Sequence, residues 1–233
     1  MRTGLGIEQL TRIYGRIARR YDRQHALITA RSDQRGRALL VERTVREGDV
    51  VLDCGAGTGS TGILAANKVG PNGRVIFFDL SPEMLGVARE KVAGSDLPVE
   101  MQTGNMEHLP FDDDTFDVVL STYSLCPLFD PVKGALEMYR VTKPGGKLGA
   151  AHSTEPASGF VKAMADKVED VAWRLPWLSM GCRAVSVLPA LEEAGARMLW
   201  ERRIGVPLWP FEVFVVQKGD PAADRGGLGH PPE

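Results

Sequence analysis

Asp53, Gly55, Gly57 and Gly59 alternate with other residues directly after the apolar run Val50-Val51-Leu52, and a second carboxylate, Asp79, closes the next apolar run. Glycines at a strand end let the backbone take positive φ and let a bulky ligand approach the main chain. A GxGxxG frame can be drawn through Gly57, Gly59 and Gly62, but it starts too late, because the first glycine after the strand is Gly55. An anionic pyrophosphate gains nothing from a carboxylate at the turn, whereas a ligand carrying an ammonium and a sulfonium does. Asp79 stands about twenty residues beyond the glycines, where a ribose diol is held in dinucleotide folds. Two acids at neighbouring strand ends therefore fit S-adenosylmethionine better than a nicotinamide dinucleotide. The competing reading is that Asp53 and Asp79 only cap turns.

The elements that must position these residues alternate. Strands are expected at 49–54, 74–79, 98–102, 116–121 and 147–152, and helices at 59–69, 82–93 and 131–141. Ser81-Pro82-Glu83 is an N-cap followed by proline at the first helical position, and Lys143-Pro144-Gly145-Gly146 should break the helix before it. Arg197 to Ile204 and Phe211 to Gln217 are strand-like, joined by a short loop containing Gly205, Pro207 and Pro210 with no room for a helix, so they must be antiparallel. The expectation is an α/β fold with a doubly wound, mostly parallel seven-stranded sheet, an antiparallel last strand and an N-terminal helical appendage.

Three domains of use follow: a helical cover at 1–46, the ligand-binding domain at 47–218 with a substrate-side insertion at 155–186, and a disordered tail at 219–233. In the cover, Ile7, Leu10, Ile13, Tyr14, Ile17, Tyr21 and Leu27 define one apolar face, interrupted near Gly15 or Asp22. A second helix runs from Asp33 to Arg46 with Leu39, Leu40 and Val41 inward. The insertion, Phe160 to Met180, includes a helix to Arg174 and carries large apolar groups that suit an acceptor pocket, a membrane, a second subunit or ordinary packing.

The chain's 233 residues suffice for one domain with a real core, and 43% hydrophobic with 25% charged residues excludes general disorder. Three cysteines without paired spacing argue against a disulfide framework or a CxxC metal site, so no metal is expected. No signal peptide or membrane span is visible, which implies a cytoplasmic location. Residues 1–46 hold eleven arginines and four acids, a net of +7, so the remainder carries −9. That basic segment suits RNA, anionic lipid or a phosphorylated substrate, or pairs with the acidic body of its own chain.

Four motifs in order, Asp53-Cys54-Gly55-Ala56-Gly57-Thr58-Gly59, Phe78-Asp79-Leu80-Ser81-Pro82-Glu83-Met84-Leu85, Leu109-Pro110-Phe111 with Phe116-Asp117, and Val141-Thr142-Lys143-Pro144-Gly145-Gly146-Lys147, resemble class I S-adenosylmethionine-dependent methyltransferases. Tyr14 to Asp22 and Gly104 to Phe111 are similar to segments of the ubiquinone and menaquinone C-methyltransferases. The chain departs from that family at His25, where Asn is usual, over Thr29 to Arg37, where a Trp-containing stretch is usual, and at Ser124-Leu125-Cys126-Pro127, where GLRN is usual.

The resemblance assigns Asp53 and the Gly55, Ala56, Gly57 and Gly59 backbone to the methionine moiety of S-adenosylmethionine. It gives Asp79 the ribose, Leu80 and Met84 the adenine face, Asn105 and Met106 the adenine edge, and Ser121 the neighbourhood of the sulfonium. Tyr14, Tyr21, Thr122 and Tyr123 are the candidate acceptor-binding residues. Core packing competes for Met84 and for the tyrosines.

Methyl transfer is an in-line displacement, and a phenol-like carbon or hydroxyl acceptor needs a base. His152, at the end of the fifth strand, is the first candidate and His25 the second, each with a plain hydrogen-bonding role as the alternative. Arsenic methylation is disfavoured, with only Cys126 and Cys182 outside the cofactor turn. The expected activity is methyl transfer to a small or lipophilic acceptor, with quinone-like carbon methylation favoured over phospholipid or amine N-methylation. A small-molecule or lipid acceptor, peripheral membrane contact and a monomeric or homodimeric state are the expected associations. RNA binding through the arginines is the less favoured alternative of another class.

Overall fold

The computed structural model describes residues 5–29, 32–155, 182–206 and 209–220. The β-branched, apolar runs form β1 (Val50–Cys54), β2 (Arg74–Asp79), β3 (Val99–Thr103), β4 (Phe116–Thr122) and β5 (Thr142–Ser153), followed by β6 (Arg197–Val206) and β7 (Trp209–Gln217). They make one seven-stranded sheet of order β3-β2-β1-β4-β5-β7-β6. β7 lies antiparallel between β5 and β6, and the other pairings are parallel. The strand order reverses between β1 and β4, so a crevice opens beyond their carboxyl ends, where ligands bind in such sheets.

Side chains alternate across the sheet. Leu52 and Cys54 point into a core shared with Phe78, Leu148 and Phe214. Val51, Phe77 and Leu120 point into the opposite core, covered by α3 (Ser32–Thr44), α4 (Ser60–Val69) and α5 (Pro82–Val92). Asp53 falls on this second face and is driven into apolar surroundings by strand parity alone. α6 (Pro131–Val141) and the short α7 (Leu188–Glu193) pack on the first face.

α5 begins as expected: the Ser81 hydroxyl accepts from Met84 N and Pro82 opens the helix. Two expectations are corrected. Lys143 to Gly146 do not stand outside the fifth strand, since β5 starts at Thr142 and absorbs them as an irregularity in its pairing with β4. Pro210 is not in a loop but in β7, opposite Gly205.

The N-terminal apolar stretch divides into α1 (Ile7–Ile17), a 3-10 turn (Ala18–Arg20) and α2 (Tyr21–Ile28). Leu10 and Tyr21 are buried, but two residues expected on the same face are not: Ile7, the first residue of α1, is 48% exposed, and Leu27 is 83% exposed because the turn changes the phase. Leu40 and Val41 of α3 are buried and Leu39 is half-buried. Part of the basic excess pairs with the chain itself: Arg19 meets Glu90 at 2.9 Å, and the Arg43 guanidinium stacks 4.3 Å from the Trp200 ring. The expectations for Phe160 to Met180 and for the tail beyond Asp220 lie outside the described residues. No helix among the described residues is long and apolar enough to cross a membrane.

Candidate functional site

The turn after β1 is built from backbone donors. Gly55 N and Ala56 N both donate to the Phe78 carbonyl, at 2.7 and 3.0 Å. Gly57 N donates to Asp79 Oδ2 at 2.7 Å, and Ser81 N donates to Oδ1 at 2.8 Å. Asp79 thereby joins the β1 turn to the start of α5. Burial raises its carboxyl above the usual range, opposed by the N–H groups of Ser81, Gly57 and Leu80.

Glycine is needed at 55 and 59 for different reasons. At Gly55, φ +73° is left-handed and a Cβ would collide with the Ser124 side chain. At Gly59, φ +79°, a Cβ would lie 2.7 Å from Phe77 Cε2, so this glycine serves close packing of α4 on the sheet.

Asp53 is fully buried beneath the turn, and both carboxyl oxygens lack a hydrogen-bond partner. Burial pushes its pKa up to about 7, opposed by the Arg37 charge and by the Gly62 N–H, which lies too loosely for a full hydrogen bond; Asp79 adds to the rise. An orphaned carboxyl of this kind fits a cationic ligand seated on the turn.

A cavity opens over the turn. Its lining includes Gly55, Gly57, Phe78, Asp79, Leu80, Met84, Gly104, Asn105 and Met106. Leu10, Tyr14, Tyr21, Thr122, Tyr123, Ser124, Pro127 and Leu128 line it as well. Cofactor and acceptor candidates named from the sequence thus meet in one cavity, where Tyr14 and Tyr21 pack with Met84. Ala56, Gly59, Asp53 and Ser121 are not in the lining. Ser121 Oγ instead meets Ser124 Oγ at 2.7 Å, and Ser124 Oγ donates to the Cys54 carbonyl at 3.1 Å. Asn105 Oδ1 accepts from Glu107 N at 2.9 Å, which fixes the loop and turns the rest of the side chain to other partners.

The two histidines part company. His152 is fully buried in β5, outside the cavity lining, with Nδ1 3.2 Å from the Ser153 carbonyl. Burial lowers its pKa to about 4 against that hydrogen bond. Its ring packs 5.8 Å from that of Phe214 in β7, and neither it nor His25 is in the cavity lining. His25 Nδ1 meets Asp33 Oδ2 at 3.0 Å. Its ring stacks on Tyr21 at 5.3 Å and tilts against Tyr123 at 5.1 Å, and both tyrosines line the cavity.

Arg37 was not singled out by any motif. It is buried, and Nη1 donates to Thr61 Oγ1 at 2.9 Å and Thr122 Oγ1 at 2.7 Å, while its Nε lies 3.9 Å from Asp33 Oδ2. Against the cost of burial, the hydrogen bonds from His25 and Thr29 and the Arg37 charge hold Asp33 down at about 2. Burial raises the Tyr14, Tyr21 and Tyr123 hydroxyls, so all three remain phenols. Tyr123 takes φ 60°, a strained conformation for a non-glycine residue, directly after β4.

A reversed-order α/β sheet with this turn and two acids at the β1 and β2 ends is the arrangement that the resemblance to class I S-adenosylmethionine-dependent methyltransferases implies. Residues 51–146 match the family model described as a methyltransferase domain. The chain is 35% identical over 153 residues to a demethylmenaquinone methyltransferase of Lactobacillus johnsonii, covering 64% of this chain and 63% of that protein. It is 36% identical over 151 residues to one from Listeria monocytogenes, covering 64% of each. The chain therefore spans a little under two thirds of the length of these curated relatives. A solved S-adenosylmethionine-dependent methyltransferase from Aquifex aeolicus is 28% identical with a TM-score of 0.54, covering 76% of this chain and 87% of that one.

Proposed function

We propose that the domain transfers a methyl group from S-adenosylmethionine to a ring carbon of a small, lipophilic, quinol-like acceptor in the cytoplasm. The observation that carries this is the aromatic wall of the cavity, Tyr14, Tyr21 and Tyr123, with the His25–Asp33 pair one ring behind it. Flat rings pack well against such a wall, and the phenols supply hydrogen bonds to ring oxygens. The naming of the curated relatives as demethylmenaquinone methyltransferases supports the same class.

In this reading Asp79 holds the ribose hydroxyls, Leu80 and Met84 flank the adenine, and Asp53 answers the ammonium through the turn. When bound, the cofactor supplies an electrophilic methyl on a cationic sulfur. The chain's own task is to align the acceptor, exclude water and accept the hydroxyl proton, whose loss makes the ring carbon nucleophilic; the ring C–H proton leaves after methylation, as the keto form returns to the aromatic phenol. His25 takes the hydroxyl proton on Nε2, since Nδ1 is committed to Asp33. Arg37, against Tyr123 and Thr122, positions the acceptor side.

The test is a panel of acceptors offered with a labelled methyl donor: a naphthoquinol, a benzoquinol, phosphatidylethanolamine, a primary amine and an RNA transcript. Label is expected on carbon of a quinol. Label on an amine or on RNA, with none on the quinols, would overturn the acceptor class.

A further inference from the structure

Cys126, between β4 and α6, and Cys182, ahead of α7, bring their Sγ atoms to 3.1 Å although 56 positions separate them in sequence. This is closer than two sulfurs in plain van der Waals contact. Both are free thiols, Cys126 buried and Cys182 half-buried. Each is anchored: Cys126 Sγ lies 3.6 Å from the Tyr123 carbonyl, and the Cys182 segment is tied down by Val185 N to the Ser153 carbonyl at 3.1 Å.

The two thiols share one hydrogen bond, so one sulfur gives up its proton more readily than an isolated thiol and the other keeps its own. On Cys126 this lowering by Cys182 outweighs burial, and Ser153 reinforces it. The third thiol, Cys54, is fully buried in β1 and pushed up by that burial. Cys126 thus has a resolving partner beside it, and of the three thiols only Cys182 is not fully buried.

We propose that Cys126 and Cys182 form an oxidative modification site, at which a peroxide closes the pair into an intramolecular disulfide that fixes the loop of Ser124, Pro127 and Leu128. The first thiolate attacks the peroxide oxygen, breaking the O–O bond and giving a sulfenic acid, with the departing oxygen leaving as water or alcohol. The second thiol then displaces the sulfenic hydroxyl as water and forms the S–S bond. Two thiols are oxidised by two electrons and one peroxide is reduced. Bond formation draws the sulfurs together by about 1 Å, to the usual disulfide length. Ser124, Pro127 and Leu128 line the cavity, so the crosslink acts on that wall. Paired thiols in reducing compartments serve transient, redox-responsive roles of this kind.

The experiment treats the reduced full chain with hydrogen peroxide and maps its peptides by mass spectrometry, with amide hydrogen exchange on the same samples. The expected result is loss of two hydrogens, a Cys126–Cys182 crosslinked peptide reversed by dithiothreitol, unmodified Cys54, and slower exchange over residues 123–128. Cys126→Ser and Cys182→Ser each abolish the crosslink while the thermal transition shows that the chain remains folded. A link to Cys54, a crosslink between chains, or sulfinic acid on one thiol without a crosslink would overturn the site. Unchanged exchange after crosslinking would overturn its action on the cavity wall. Neither readout needs an acceptor, so they stand or fall separately from the quinol reading.

Discussion

His25 Nδ1 and Asp33 Oδ2 lie 3.0 Å apart, both buried, in a contact that bridges α2 and α3. The Asp33 carboxyl, held at about 2, stays ionised across the working range and fixes the imidazole with its Nδ1 proton toward α3. A base needs this orientation if its other nitrogen is to face an acceptor.

Removing the imidazole should therefore slow chemistry and spare cofactor binding. His25→Ala is expected to lower kcat by about 10²-fold, in the usual range for a lost general base, with the cofactor Kd unchanged. Asp33→Asn should lower kcat less and leave the same Kd. Initial rates and calorimetry decide; full activity of His25→Ala would remove it from the reaction.

Asp53 is a liability in the unliganded fold. Its folded pKa of about 7 exceeds the ordinary 3.8, so the unfolded chain releases the proton first. Stability is lost as pH rises from about 4 to 7, by up to about 4 kcal/mol. Asp53→Asn is expected to raise the unliganded melting temperature, more at pH 8 than at pH 5, and to weaken cofactor binding. Thermal unfolding with and without S-adenosylmethionine measures both.

Asp79→Ala removes the proposed ribose acceptor together with the bond from Gly57 N. Cofactor Kd should rise at least tenfold, about 1.4 kcal/mol. An unchanged Kd by calorimetry would reject the ribose role.

His152 titrates in the opposite sense to a base in a cleft. With a folded pKa of about 4 against an ordinary 6.5, the unfolded chain binds its proton first. Its contribution is lost as pH falls from about 6.5 to 4, by up to about 3 kcal/mol. His152→Leu should flatten the acid side of the stability profile in urea unfolding at pH 7.5 and 4.5.

What the sequence disclosed was local. The β1 turn and Asp79 follow from strand ends, glycine spacing and an N-cap within a few residues of each other, and the sheet follows from alternation of apolar runs. His152 lies outside the cavity lining, and its place at the end of a strand says nothing of Phe214, which packs on its ring from β7. Arg37 carries no motif; its partners, Thr61 and Thr122, are 24 and 85 residues away. Cys126 and Cys182 are likewise joined only by the fold. The split of the first apolar stretch was signalled near Asp22, but the phase change that exposes Leu27 was not.

Asp22 anchors the N-terminal helices to the nucleotide side of the cavity. Its Oδ1 accepts from Thr58 in the glycine turn at 2.6 Å, and its Oδ2 pairs with Lys91 of α5 at 2.6 Å. Roof and floor of the chamber consequently share a clasp on one wall. A guest that lifts the N-terminal helices must strain that clasp, and with it the glycine turn.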